Sequence, residues 1–334
     1  MQKKLIALAL ASAFAAPAFA ATSNVDIYGK LHVSASVFDD QTSGTKDSQI
    51  SSNASRIGFK GSEDLGGGLA AIWQIESGIT MDETGGSWAS RNTFLGLQSN
   101  TMGSVLIGNY DTPLKNIGRK VDLFGDTIAD SRNVNAVNAD SREKNSVTYL
   151  SPNFNGFAFE GQYANARTPV STAGDATDNS MWSLNGTYTN GPLLLGLAYA
   201  DGDALKTVNV DNNWRAVAGY SFGNFKVVGQ YDKQKAETGF NDFDSWMLGA
   251  GYTMGNVVLK ANYIKGDIDN TSNDPKQWTI GADYNLSKRT TVYALYADGE
   301  YITLGSGVGG SDQIGPGSAN GDIKAFSVGM IHTF

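Results

Sequence analysis

The chain has 334 residues, among them 40 Gly, 15 Phe and 14 Tyr but only 7 Pro, with no Cys, two His and a formal net charge of −8. The absence of Cys excludes disulfide scaffolds and thiolate metal sites, two His leave little material for zinc chemistry, and the acidic balance argues against nonspecific binding to nucleic acid. Glycine and aromatic richness with little proline suits a twisted, turn-rich β protein.

Residues 1–20 open with Lys3 and Lys4, continue through an apolar stretch over 5–16 and end on the small-residue site Ala18-Phe19-Ala20. This is the order of a cleaved secretory signal peptide, so the mature chain is expected to span 21–334. Losing Lys3 and Lys4 takes the charge from −8 to −10. No later apolar run approaches the roughly 20 residues that a membrane-spanning helix needs. A Cys-free chain also suits passage, unfolded, through an oxidising periplasm.

From residue 25 onwards the dominant signal is period-2 alternation. Val25, Ile27, Leu31, Val33, Ala35 and Val37 share one face of the first segment, and Asp26, Tyr28, Lys30, His32, Ser34 and Ser36 share the other. The pattern predicts sixteen strands, at 25–38, 54–62, 68–80, 88–99, 103–110, 145–152, 156–165, 181–190, 192–200, 212–222, 224–233, 245–254, 256–265, 276–286, 290–297 and 323–334. Tight turns such as Asn190-Gly191, Gly223-Asn224 and Met254-Gly255-Asn256 alternate with longer polar loops at 39–53, 233–244 and 298–322. Short turns on one side and long loops on the other characterise a membrane barrel.

A soluble sandwich can also alternate, but it has no reason to close its apolar faces with Tyr199, Tyr231, Tyr252, Tyr263, Tyr284 and Tyr296 near strand ends. Those positions suit girdles at the lipid headgroups. The expected fold is therefore all-β, a sixteen-stranded antiparallel transmembrane barrel in contact with outer-membrane lipids and lipopolysaccharide.

If the apolar face meets lipid, the polar face lines the interior, because an Arg or Lys facing lipid at mid-membrane costs about 2–4 kcal/mol. Inward basic candidates are Lys30, Arg56, Lys60, Arg215, Lys226 and Lys260, and inward acids are Asp26, Glu76, Glu160, Asp232 and Asp283. A barrel this wide, with so charged a wall, encloses water. The near-balance of charge leaves ion preference open. Arg91 shares parity with Leu95 and Leu97, so either it lies above the apolar band or a bulge shifts the register; a pore-facing position is favoured.

Residues 111–144 form the longest segment without clear alternation. It carries Asp111, Asp122, Asp126, Asp130 and Asp140 beside Lys115, Arg119, Lys120, Arg132 and Arg142. So long a loop is usually functional, and folded inwards it would narrow the pore with its acids facing wall bases. The alternative is an ordinary solvated external loop.

Other motifs weaken on inspection. Gly219-Tyr220-Ser221-Phe222-Gly223 matches a nucleophile elbow but leads into another strand rather than a helix. Gly305, Gly307, Gly309 and Gly310 lack the Lys-Ser/Thr pair and helix of a phosphate loop. His32 and His332 suit wall and girdle positions better than metal ligation, and Asp201-Gly202-Asp203 reads as a solvated turn before a calcium loop. No cofactor and no catalytic residue are expected. The rival readings are a substrate-specific channel, which needs a binding track along the lumen, and an adhesive or structural barrel with a closed lumen.

Several segments resemble the Gram-negative general porin family, in the branch that includes neisserial and other proteobacterial trimeric porins. They are Val25-Asp26-Ile27-Tyr28-Gly29-Lys30, the run from Ser55-Arg56-Ile57-Gly58-Phe59-Lys60 to Leu65-Gly66, Ala71-Ile72-Trp73-Gln74-Ile75-Glu76, Asn145-Ser146-Val147-Thr148-Tyr149 with Ser151-Pro152-Asn153-Phe154, Gly156-Phe157, and Phe334. The resemblance implies a homotrimer of barrels, passive diffusion of small hydrophilic solutes and ions, and a third external loop folded into each pore. It also implies basic wall residues at Arg56, Arg91 and Arg142, and a final strand ending in Phe334 that the barrel-assembly machinery reads. Asn109, Thr148 and Leu150 stand where relatives often carry charge, which makes this wall less charged than theirs.

Overall fold

A computed structural model describes residues 24–135, 139–165, 179–306, 312–316 and 321–334. The expected signal segment 1–20 lies outside the described residues, as do Gly307, Gly309 and Gly310.

Sixteen strands close on themselves. They are β1 (Asn24–Asp40), β2 (Thr45–Ser52 and Arg56–Gly66), β3 (Leu69–Ile79), β4 (Thr93–Ser99), β5 (Gly103–Asp111), β6 (Arg142–Leu150), β7 (Phe157–Asn165) and β8 (Ser180–Asn190). After these come β9 (Leu193–Asp201), β10 (Val210–Phe222), β11 (Phe225–Ala236), β12 (Phe243–Met254), β13 (Val257–Ile268), β14 (Lys276–Asn285), β15 (Thr290–Glu300) and β16 (Asp322–Thr333). Each pairs antiparallel with the next, and β16 pairs with β1 from Lys30↔Thr333 to Asp40↔Ile323. Closure leaves no ladder edge in lipid, where an unpaired backbone group costs several kcal/mol.

The outward rows are apolar and bare: Ile27, Leu95 and Ile107 are each more than 60% exposed. Two aromatic belts bound this surface. At the long-loop end tyrosines alternate with tryptophans, as in Trp182–Tyr199–Trp214, Trp246–Tyr263 and Trp278–Tyr296. At the short-turn end lie Phe157–Tyr188 and the run Tyr220–Phe222–Phe225–Tyr252. Gly223, with φ +55° in the left-handed region, turns β10 directly into β11, which removes the nucleophile-elbow reading of 219–223.

Strand boundaries differ from the periodicity at instructive places. The expected loop 39–53 is mostly strand, because β1 and β2 stay paired as a hairpin from Val33↔Ser52 to Asp40↔Thr45. The alternation hides this through a bulge. Asn53, Ala54 and Ser55 stand opposite Leu31 and His32, with Ala54 at φ +52°, and the inward positions change from odd (Ser51) to even (Arg56) across it. An inserted residue switches every later side chain to the other face. β4 begins at Thr93 rather than 88, and the segment expected as loop 298–322 contains a small hairpin, Ile302–Ser306 with Asp312–Pro316.

The interior is not filled by the wall. Its apolar core joins the loop between β5 and β6, whose Leu114, Ile117, Val121, Phe124, Ile128 and Val134 are fully buried, to inward wall residues such as Val217, Met247 and Ile264. The loop starts as a short helix α1 (Pro113–Gly118), capped by Thr112 Oγ1 accepting from Lys115 N with Pro113 in the first turn. It continues through a 3₁₀ turn over Ser131–Asn133, capped by Asp130.

Candidate functional site

The loop narrows the barrel beside an open cavity of about 870 Å³. Seven basic side chains line this cavity: Arg56, Arg91 and Arg142 from the β2–β6 wall, Lys260 from β13, and Lys115, Arg119 and Arg132 from the loop. Four acids line it as well: Asp111, Asp122, Asp126 and Asp283.

Three groups of ion pairs organise the charges. In the first, Asp126 at the loop tip accepts from Lys30 Nζ at 2.9 Å and Arg119 Nη2 at 2.5 Å, with Arg56 Nη1 at 3.8 Å. Asp126 has φ +61°, a left-handed conformation that the surrounding pairs hold in place. In the second, Glu76 on β3 accepts from Arg91 Nε at 2.6 Å and Tyr28 OH at 2.9 Å, with Arg56 Nε at 3.9 Å. In the third, Asp111 at the end of β5 binds Lys115 and Arg142, each at 3.0 Å, while Asn92 Oδ1 accepts from Arg142 Nε at 2.7 Å.

The parity of Arg91 is resolved here. Residues 88–92 precede β4 rather than belonging to it, and Arg91 N donates to Glu76 O. Its side chain is thus free of the strand's alternation and reaches the cavity. Lys60 stands apart from that cavity: its ammonium lies 5.4 Å from the Tyr28 ring, opposite Asp26 in the β1–β2 register. Lys30 and Glu76 sit immediately behind the cavity-lining charges as their partners.

Loop electrostatics follow from burial and from the choice of neighbours. Burial disfavours the ionised forms of Asp126 and Asp130, yet Arg119 with Lys30 for the first, and Arg132 with Arg119 for the second, hold both below the usual carboxylate range. Asp122 is the exception. Burial, with the Asp130 charge beside it, pushes it up to about 6, although it accepts from Phe124 N, Ser131 N and Ser131 Oγ. The loop's acids are therefore matched largely by its own bases, not solely by those of the wall.

Parity had already placed Lys260 and Asp283 inward. The structure brings them together at 2.9 Å and sets the Lys260 ammonium 4.8 Å from the Phe124 ring. Asn92 gave no signal, since an amide beside Arg91 looks like loop composition. His32 is buried, its Nε2 2.9 Å from Tyr293 OH, and His332 Nδ1 meets Thr290 Oγ1. No cluster of metal-ligating residues occurs among the described residues.

Comparison with known proteins agrees with this architecture. A family model described as Gram-negative porin matches residues 7–303. The major outer membrane protein P.IB of Neisseria gonorrhoeae is 31% identical over 247 residues, covering 70% of this chain and 68% of that one. Its counterpart from Neisseria lactamica is 36% identical over 173 residues, about half of each. Among solved structures, the anion-selective porin from Comamonas acidovorans superposes with a TM-score of 0.76 at 26% identity, covering 93% of this chain and all of the other. OmpF of Salmonella typhi, at 18% identity and a TM-score of 0.68, shares the fold. The chain belongs to the Gram-negative porin family and forms a water-filled general diffusion channel through the outer membrane.

Proposed function

We propose that this channel passes small hydrophilic solutes and ions without any catalytic step and favours anions over cations. One observation carries the reading: seven basic against four acidic side chains line the cavity beside the inward-folded loop of a chain whose net charge is −8. A pore's selectivity depends on the few charges at its narrowest point, not on the whole molecule. Arg56, Arg91 and Arg142 face water from a fixed wall, while Asp122 is turned towards Phe124 and Ser131. The similarity to an anion-selective porin supports the same direction.

The proposed constriction residues are Arg56, Glu76, Arg91, Asp111, Lys115, Arg119, Asp122, Asp126 and Arg142, with Lys30 holding the loop tip and Lys60 contributing nearer the short-turn mouth. The assembled form is proposed to be a homotrimer among lipopolysaccharide and lipid, exported with removal of residues 1–20 and inserted by the barrel-assembly machinery, which reads Phe334. The test is the reversal potential of the purified protein in a planar bilayer under a salt gradient. An anion-signed potential with large steps closing in threes supports the reading; a cation-signed potential overturns the selectivity, and single independent steps overturn the trimer.

A further inference from the structure

The loop has to be held at one height in the lumen for its charges to define a pore, and one buried side chain grips both of its ends. Arg215, on the inner face of β10, is 1% exposed. Its Nη1 donates to the carbonyl of Leu114, in α1 at the start of the loop, at 3.2 Å, and to Asp140 Oδ2, near the loop's end, at 2.5 Å. Its Nε donates to Asp232 Oδ1 on β11 at 2.6 Å, and Asp232 Oδ2 accepts from Gln230 Nε2 at 2.7 Å. Gly118, the last residue of α1, lies so close to the guanidinium that a Cβ there would collide with it.

We propose that Arg215 is the positioning residue of the constriction: by binding the first and last turns of the loop to the barrel wall it sets where Lys115 and Arg119 stand in the pore. The proposal rests on the diffusion-channel reading. The chain of contact is short. Leu114 precedes Lys115, which reaches Asp111, and α1 delivers Arg119 to Asp126 and Asp130. A buried ion triad is a poor device for stability alone, since apolar residues of similar volume often serve as well or better. The rigid guanidinium plane is suited to fixing the loop against the wall, because Nε is committed to Asp232 on β11 while Nη1, at a set angle to it, takes both ends of the loop; a flexible ammonium stem imposes no such angle.

The loop has other, uncharged anchors. Ser183 Oγ accepts from Leu114 N, Asn185 Nδ2 donates to Pro113 O, and Asn213 Oδ1 accepts from Ala139 N. These keep the loop inside the barrel when the fork is removed, so the expected defect is looseness and not loss of fold. The variant Arg215→Met with Asp232→Asn removes one charge of each sign and leaves the net charge of the wall unchanged. Its single-channel current should show open-channel noise raised several-fold, brief closures and a changed step size, with wild-type heat-modifiable mobility. Should it fail to fold, Asp140→Asn, which keeps the side chain's shape, gives the same readouts. Unchanged noise, step size and reversal potential in a folded variant, with only lower thermal stability, would overturn the proposal and leave Arg215 a structural residue. Wild-type protein that does not conduct would overturn the channel reading itself and the proposal with it.

Discussion

Lys30 on the inner face of the first strand and Asp126 of the long loop, 96 positions apart, meet at 2.9 Å inside the barrel. Both side chains are mostly shielded from water, so neither charge is cheaply left alone. Removing the ammonium with Lys30→Met should cost about 1–3 kcal/mol in unfolding from detergent. The double variant with Asp126→Asn should cost less than the sum of the two singles, because each single change strands the other partner. Additive losses would show that Arg119 alone satisfies Asp126.

Charge reversal on the wall separates residues that parity treats alike. Arg56→Glu and Arg91→Glu change charges on the cavity, whereas Lys60 lies beyond it, over Tyr28. Each of the first two should move the reversal potential strongly towards cations, and Lys60→Glu should move it much less, since screening limits charges more than about 8–10 Å away. Equal shifts at all three positions would show that the whole wall, and not the constriction, sets selectivity.

Asp122 gives the channel a pH dependence in the mildly acidic range. Its carboxyl is raised from 3.8 to about 6 in the folded protein, so the folded state holds a proton that the unfolded state releases between those values. The stabilisation is therefore complete below 3.8 and lost as pH rises through about 6. Anion preference should strengthen as pH falls from neutrality through about 6, because one of the four acids on the cavity loses its charge. Asp122→Asn should abolish that step and hold the low-pH potential throughout; a step that survives the substitution belongs to another group.

On the outside, Leu95→Arg places a cation in the apolar band at a position 64% exposed on the barrel's outer surface. It should lower folding stability by about 2–4 kcal/mol if Leu95 lies near mid-membrane. A loss well below that range, measured by folding into lipid vesicles, would move Leu95 towards an interface.

Much of the barrel was legible in the sequence because lipid and water impose opposite demands on neighbouring side chains, and that contrast is written residue by residue. Where backbone geometry departs from period 2, the signal fails for the same reason. The bulge at 53–55 hid the upper part of β2, and the irregular stretch before Thr93 gave Arg91 a misleading parity. Inward-facing Arg215, Asp232, Lys260 and Asp283 were readable as charges on a wet wall. Their partners were not. Nothing local in the sequence says that Arg215 meets Asp140 and Leu114, or that burial beside Asp130 outweighs the Arg119 charge at Asp122, so that it titrates apart from Asp126. Such pairings depend on how far the loop descends, which is fixed by contacts distant in sequence.

Those distances also carry a message about time. From Asn116 to Glu160 the loop reaches 44 positions ahead, to Asn213 and Arg215 some 74 to 101, and from Ala129 to Gln277 it reaches 148. Apart from Lys30, Arg56 and Asn92, the wall residues named above as receiving the loop are downstream of it. Contacts separated so widely form late, since the entropy of closing the intervening chain has to be met first. During assembly the nascent cylinder is thus wide before it is narrow, and its selectivity is acquired only when strands from the second half of the chain have been laid in place.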